Sequence, residues 1–134
     1  MRTPSLLLKP PPAPGTRRPG RIPAVVLGAT GAVGRRLVAL LAHHPWFELA
    51  GVAASEGSRG KTLGEALGPL DPWGRPWPSA VRGLTLESAS PRRLPAPLAF
   101  SALGPQVAAG VEEDFARTGT LVVTNASPHR MLPG

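Results

Sequence analysis

The chain has 134 residues but neither cysteine nor tyrosine, and aromatic residues make up only 4% of it. The absence of cysteine excludes a disulfide scaffold, a thiolate metal site and a thiol nucleophile. No carboxylate pair or cluster of metal ligands stands out in the sequence. No apolar run approaches the roughly 20 residues of a membrane-spanning helix, so none is predicted. The apolar stretch after Met1 is too short for a secretory signal, and the expected location is the cytoplasm. An organellar transit segment is the alternative, because the N-terminus is rich in arginine and free of acidic residues.

The formal net charge of +7 is unevenly distributed along the chain. Five of the 15 cationic residues precede the first predicted strand, namely Arg2, Lys9, Arg17, Arg18 and Arg21. The remainder is only mildly basic, which a phosphate-bearing ligand or an ordinary arginine-rich surface explains equally well. Few aromatic side chains lie near the cations, so the stacking surface of a single-strand nucleic-acid site is not apparent, and no nucleic-acid partner is expected.

Proline and glycine are abundant, with 18 and 16 residues, and they crowd the N-terminus and the middle. The run from Lys9 to Gly15 reads K-P-P-P-A-P-G, which cannot form a helix and lacks the donors for a sheet. Residues 1–21 are therefore predicted to be a disordered tail, either an inert extension or a ligand for a proline-binding partner. Residues 22–134 have the length of one domain.

Apolar periodicity predicts alternating strands and helices in the remainder. The predicted strands are 22–27, 47–53, 84–87, 98–103 and 121–123, and the predicted helices are 32–43, 63–67 and 107–117. The first strand and the last two are read as buried. Between residues 55 and 97 glycine and proline interrupt the pattern. The fold class is α/β, a Rossmann-type parallel sheet with helices on both faces and an irregular Pro/Gly-rich middle.

A glycine-rich turn, Gly28–Gly34, lies directly between the first strand and the first helix. Gly28 permits backbone angles that side chains forbid, Gly31 leaves the main chain open, and Gly34 lets helix and strand pack closely. Free N–H groups and the helix dipole at such a turn favour a pyrophosphate. The alternative is a tight turn that binds no ligand. A strand before the turn and a helix after it favour dinucleotide binding.

The end of the second strand indicates which dinucleotide is bound. An acidic side chain expected there for NAD is absent, because the position holds Ala54 and Ser55. Hydroxyl and cationic donors follow at Ser58, Arg59 and Lys61. They would suit a 2′-phosphate and favour NADP over NAD, although Glu56 argues the other way. The alternative interpretation is a loop of solvated charges.

Several stretches together resemble aspartate-semialdehyde dehydrogenases of the archaeal and fungal type. They occur in collinear order between about residues 22 and 132. They are Gly28–Gly34, His44–Glu48, Ala54–Lys61, Phe100–Leu103, Thr124–Ser127 and Arg130–Met131. The resemblance implies reduction of β-aspartyl phosphate to aspartate semialdehyde with NADPH, through a cysteine thioester, on the path to lysine, threonine and methionine.

The resemblance also implies roles for individual residues, none of them catalytic. The implied pyrophosphate cradle is Gly28, Thr30, Gly31, Ala32 and Val33. The 2′-phosphate would meet Ser55 and Ser58, and the nicotinamide ribose would lie along Ser101 and Ala102. Asn125 would border the same pocket, and Arg130 would hold the phosphate of the substrate.

The chain departs from the family pattern at two positions, with Gly57 where an arginine belongs and Arg59 where a small residue belongs. The family's cysteine, histidine and dimer-forming second domain would all follow Gly134, so this chain alone is expected to be inactive. Self-association or a separate catalytic domain is the expected protein partner. Two other interpretations remain, a fragment like N-acetyl-glutamyl-phosphate reductase and a non-catalytic nucleotide-binding or interaction module.

Overall fold

A computed structural model describes residues 20–124. Its centre is a five-stranded sheet in which every neighbouring pair is parallel. The strands are β1 (Ile22–Leu27), β2 (Phe47–Ala53), β3 (Leu86–Glu87), β4 (Leu98–Ser101) and β5 (Leu121–Thr124). Their order across the sheet is β3-β2-β1-β4-β5. The carboxyl ends of β2, β1 and β4 therefore lie side by side at one edge, where open α/β sheets bind ligands.

Four helices connect the strands. They are α1 (Ala32–Ala42), α2 (Leu63–Leu67), α3 (Ser79–Arg82) and α4 (Pro105–Arg117). Thr62 caps the start of α2 in a reciprocal capping box. Its hydroxyl accepts from the backbone N–H of Glu65, and the Glu65 carboxylate accepts from the backbone N–H of Thr62. Helix α4 begins at a proline, whose missing N–H costs nothing in the first turn.

Apolar side chains cover both faces of the sheet because the pleat alternates them. On one face Val26 and Val52 join Val38 of α1 in a buried cluster. On the other face Val25 and Leu27 join Phe115 of α4 in a second cluster. The Rossmann-type α/β architecture with helices on both faces is thus confirmed. No helix in residues 20–124 has the length and apolarity required to cross a bilayer.

Some details differ from the sequence predictions. Strand β5 was expected to be buried, yet Leu121 and Val123 are 66% and 46% exposed. It is the edge strand of the sheet, and side chains at an edge have neighbours on one side only. On α1, Val33 and Leu40 were placed on the apolar face but are 47% and 57% exposed. Small residues such as Ala39 are buried there instead.

The proline-rich loop between α2 and α3 is organised around a buried carboxylate, Asp71. One of its oxygens accepts from the N–H groups of Trp73 and Arg75, at 2.8 and 3.0 Å, and the other accepts from Arg75 Nε at 2.9 Å. Burial by itself would raise the pKa of Asp71. The three hydrogen bonds and the nearby guanidinium outweigh burial and hold this pKa below its ordinary value.

Asp71→Asn is expected to lower the stability of the chain in a pH-dependent way. Because the folded-state pKa is depressed, the stabilisation from the carboxylate is complete above the unfolded pKa of about 4 and is lost as the pH falls through the folded value. The difference in free energy of unfolding from the wild type should be greatest near pH 7 and shrink below about pH 4. Urea unfolding followed by circular dichroism measures it. Asp114→Asn, at a carboxylate with 57% side-chain exposure, is the control, and a pH-independent difference for Asp71→Asn would contradict the assignment.

Candidate cofactor site

The turn between β1 and α1 is held in place by hydrogen bonds to β2. The N–H groups of Gly28 and Ala29 both donate to the carbonyl oxygen of Ala53, at 3.1 and 2.8 Å. Gly28 has φ of +82°, in the left-handed region that glycine tolerates best. Ala29 is fully buried. The turn is thus anchored against the sheet.

Close approaches explain two of the three glycines of this turn. A Cβ on Gly34 would overlap the carbonyl oxygen of Gly28 and lie 2.7 Å from its carbonyl carbon. A Cβ on Gly28 would lie 2.8 Å from the carbonyl oxygen of Ala102. Gly31 differs, because a Cβ there would meet only the oxygen of Gly28, at 3.7 Å. Gly28 and Gly34 serve packing inside the protein, whereas a side chain at Gly31 would make only ordinary contact with the protein.

The first turn of α1 leaves backbone donors available to a ligand. In the part of the chain that the structure describes, the N–H groups of Thr30, Ala32, Val33 and Gly34 have no acceptor. The N-cap residue of α1 is Gly31, which has no side chain to bond these N–H groups, and no acidic residue occupies the first turn. Residues 31–33 are exposed. Such a turn, with the positive end of the helix dipole behind it, suits an anion.

Arg35 fixes the outer part of the same turn. Its guanidinium donates to the carbonyl oxygen of Thr30 at 2.8 Å, and its N–H donates to the carbonyl oxygen of Gly31 at 3.0 Å. The carbonyl oxygens of Thr30 and Gly31 are thus both bonded to Arg35. Residues 31–33 of the turn remain exposed with the Arg35 contact in place.

The segment after β2 forms a second turn, which lies at the same carboxyl-terminal edge of the sheet as the turn after β1. The N–H groups of Ser58 and Arg59 both donate to the carbonyl oxygen of Ser55, at 3.0 and 3.1 Å. The N–H of Lys61 donates to the carbonyl oxygen of Ser58 at 3.3 Å. The guanidinium of Arg59 forms an ion pair of 2.9 Å with Glu56. The sequence singled out these residues but did not indicate that Arg59 and Glu56 contact each other.

The third element of the edge is the end of β4 with the residues that follow it. The N–H of Ala102 donates to the carbonyl oxygen of Leu27 at 2.8 Å, which brings this segment against Gly28. Ser101 is 2% exposed, and its buried hydroxyl oxygen has no partner within residues 20–124. An orphaned buried hydroxyl is costly. The structure therefore brings Ser101 and Ala102 beside the glycine turn.

A buried contact that the sequence did not predict joins α4 to β5. Glu112 is 3% exposed, and Thr124 donates its hydroxyl proton to Glu112 Oε2 at 2.7 Å. The only sequence signal was the position of Glu112 on the face that also carries Ala108 and Phe115. This contact fixes the end of β5. The next residue, Asn125, and the candidate substrate-binding Arg130 lie outside the described residues.

Other polar features lie away from this edge. Near the amino ends of β1 and β2, a cavity of about 260 Å³ is lined by residues that include Arg21, Glu48 and Val81, none of them a candidate cofactor residue. His44 packs against Phe47, with ring centroids 4.7 Å apart, and its Nδ1 accepts from the N–H of Trp46 at 3.1 Å. These contacts give the histidine a structural role at the end of α1.

Comparison with known proteins identifies the family to which this fold belongs. Residues 23–133 match the family model described as semialdehyde dehydrogenase, NAD binding domain. The chain is 41% identical over 106 residues to the aspartate-semialdehyde dehydrogenase of Archaeoglobus fulgidus, covering 79% of this chain and 30% of that protein. It is 37% identical over 111 residues to that of Saccharomyces cerevisiae, covering 83% and 30%.

A solved structure agrees at the level of the fold. The aspartate-semialdehyde dehydrogenase of Candida albicans with NADP superposes with a TM-score of 0.74 at 34% identity, over 83% of this chain and 31% of that one. The chain thus spans about 30% of the length of the relatives that it matches. The resemblance seen in the sequence is confirmed. The chain belongs to the semialdehyde dehydrogenase family and matches the NAD-binding domain of that family.

Proposed function

We propose that this chain is the NADP(H)-binding part of an aspartate-semialdehyde dehydrogenase that reduces β-aspartyl phosphate in the synthesis of lysine, threonine and methionine. The observation that carries the proposal is the turn from Gly28 to Gly34, with unbonded amides open to solvent at the start of α1. Strands β2 and β4 flank β1 in the sheet, so the segments that follow these two strands lie beside the turn, which supports a shared binding edge.

The residues present fit a dinucleotide. The amides of Thr30, Ala32 and Val33 would receive the pyrophosphate, and Gly31 would allow its close approach. The orphaned hydroxyl of Ser101 supports a polar ligand group at the end of β4. We assign Ser101 and Ala102 to the nicotinamide ribose, and Asn125 to the border of the same pocket.

NADP is the proposed cofactor rather than NAD. The turn after β2 carries Lys61, which has no acidic partner in the described part of the chain, together with the hydroxyls of Ser55 and Ser58. Cationic and hydroxyl donors suit a 2′-phosphate. The Candida albicans relative, whose structure contains NADP, supports this preference.

The bound cofactor would supply hydride to the acyl carbon of the substrate. The residues of this chain would bind and orient that cofactor, and Arg130 would hold the substrate phosphate through its planar fork of donors. Formation of a thioester needs a thiolate, and these 134 residues include no cysteine. We therefore expect these residues to bind the cofactor without turnover. The proposed location is the cytoplasm. A partner would be a catalytic domain or another copy of the chain.

Isothermal titration of the 134-residue chain with NADPH tests the proposal. We expect saturable, one-to-one binding with a dissociation constant below millimolar, weakened by salt because a phosphate is being bound. ADP-ribose 2′-phosphate, which lacks the nicotinamide, should compete for the same site. Absence of heat and of competition at millimolar cofactor would refute NADP(H) binding by this chain.

A further inference from the structure

The turn after β2 holds one acidic and one basic side chain in a fixed relation. Its backbone is tied down because Ser58 and Arg59 both donate to Ser55 and because the N–H of Gly60 donates to Leu86 of β3 at 3.0 Å. Within this frame Arg59 and Glu56 meet at 2.9 Å, with side-chain exposures of 39% and 89%. The more enclosed member of the pair is the cation.

A 2′-phosphate would compete with Glu56 for Arg59. NADP(H) carries this extra group, with a charge between about −1.5 and −2 at neutral pH, whereas NAD(H) has a neutral hydroxyl there. To bind the phosphate, Arg59 must either break its ion pair with Glu56 or contact both groups at once. In either case the Glu56 carboxylate would repel the phosphate. Binding of NAD(H) leaves the ion pair intact. Lys61, which has no such counter-charge, attracts the phosphate in either case.

We propose that Glu56 is the residue that sets cofactor discrimination in this chain, because it occupies Arg59 in competition with the 2′-phosphate. The inference rests on the proposed dinucleotide binding and adds a specificity determinant to it. Arg59 lies three positions after Glu56 in this turn, which brings its guanidinium within reach of that carboxylate. Glu56 therefore lowers the ratio of NADPH affinity to NADH affinity.

Titration of the full chain and its variants with NADPH and with NADH, at about 0.15 M salt, tests the proposal. Glu56→Gln should tighten NADPH binding about two- to fivefold, the upper part of the range for exposed charge pairs. NADH affinity should change less than about twofold, since its ribose carries a neutral hydroxyl where NADPH carries the 2′-phosphate. In the Arg59→Ala background the same substitution should lose most of its effect. Glu113→Gln, an equal charge change on the exposed surface of α4, is the control.

Two outcomes would overturn the proposal. One is a ratio of NADPH to NADH affinity that Glu56→Gln leaves unchanged, and this includes equal tightening of both cofactors, which would indicate a general charge effect. The other is an effect of Glu56→Gln that persists in full without Arg59, since repulsion alone would then explain it. Failure of the wild-type chain to bind either dinucleotide overturns the proposed function as well, whereas binding with an unchanged ratio overturns the role of Glu56 alone.

Discussion

Gly34→Ala is expected to lower the free energy of unfolding by at least about 3 kcal/mol, the upper range for overpacking. The added methyl would overlap the carbonyl oxygen of Gly28 and lie 2.9 Å from the Cα of Ala29. All the opposing atoms belong to the backbone, so no side-chain rotation relieves the contact. The start of α1 and the end of β1 would have to separate, which would disrupt the buried cluster that contains Ala29 and Val38.

Urea unfolding followed by circular dichroism measures this loss, and a second helical glycine provides the control. Gly110 lies within α4, and a Cβ there would meet nothing within 4 Å. Gly110→Ala should raise the free energy of unfolding by about 0.5–1 kcal/mol through helix propensity. Equal unfolding midpoints for the wild type and Gly34→Ala would contradict the close packing of the turn.

The sequence predicted the elements next to this turn well because their signals are local. A β-branched run, three glycines and an amphipathic stretch define β1, the turn and α1, and the observed bounds of β1 and β2 agree with the predicted ones. Helix α3 was not predicted, since four residues hold too little periodicity to be recognised. Strand β3 was predicted as 84–87, but only Leu86 and Glu87 pair with β2.

The remaining differences concern contacts between parts of the chain that are distant in sequence. Leu121 is exposed because β5 is at the edge of the sheet. Hydrophobic periodicity does not determine the order of the strands, so the sequence did not predict this exposure. The burial of Glu112 depends on Thr124 of the neighbouring strand. The Glu56–Arg59 pair depends on the geometry of a turn rather than of a helix. Periodicity indicates which side chains share a face but not what covers that face.

Gly31→Ala is expected to weaken NADPH binding at least about tenfold while leaving the fold unchanged, because loss of one hydrogen bond to a charged group is worth about that much. Gly31 has φ of −77° and ψ of 174°, which any residue adopts. Its added methyl would lie in ordinary contact with Gly28 at 3.7 Å. The same methyl would stand where the pyrophosphate must approach the amides of α1.

Titration calorimetry with NADPH and urea unfolding of the same variant separate these two effects. Gly110→Ala is the control, because Gly110 lies within α4 outside the proposed site and a Cβ there would meet nothing within 4 Å. It should retain the wild-type affinity for NADPH. Wild-type NADPH affinity in Gly31→Ala would show that the phosphates do not rest on this turn. Loss of binding in Gly31→Ala together with loss of folding in Gly34→Ala would assign the ligand to one glycine and the packing of helix on strand to the other.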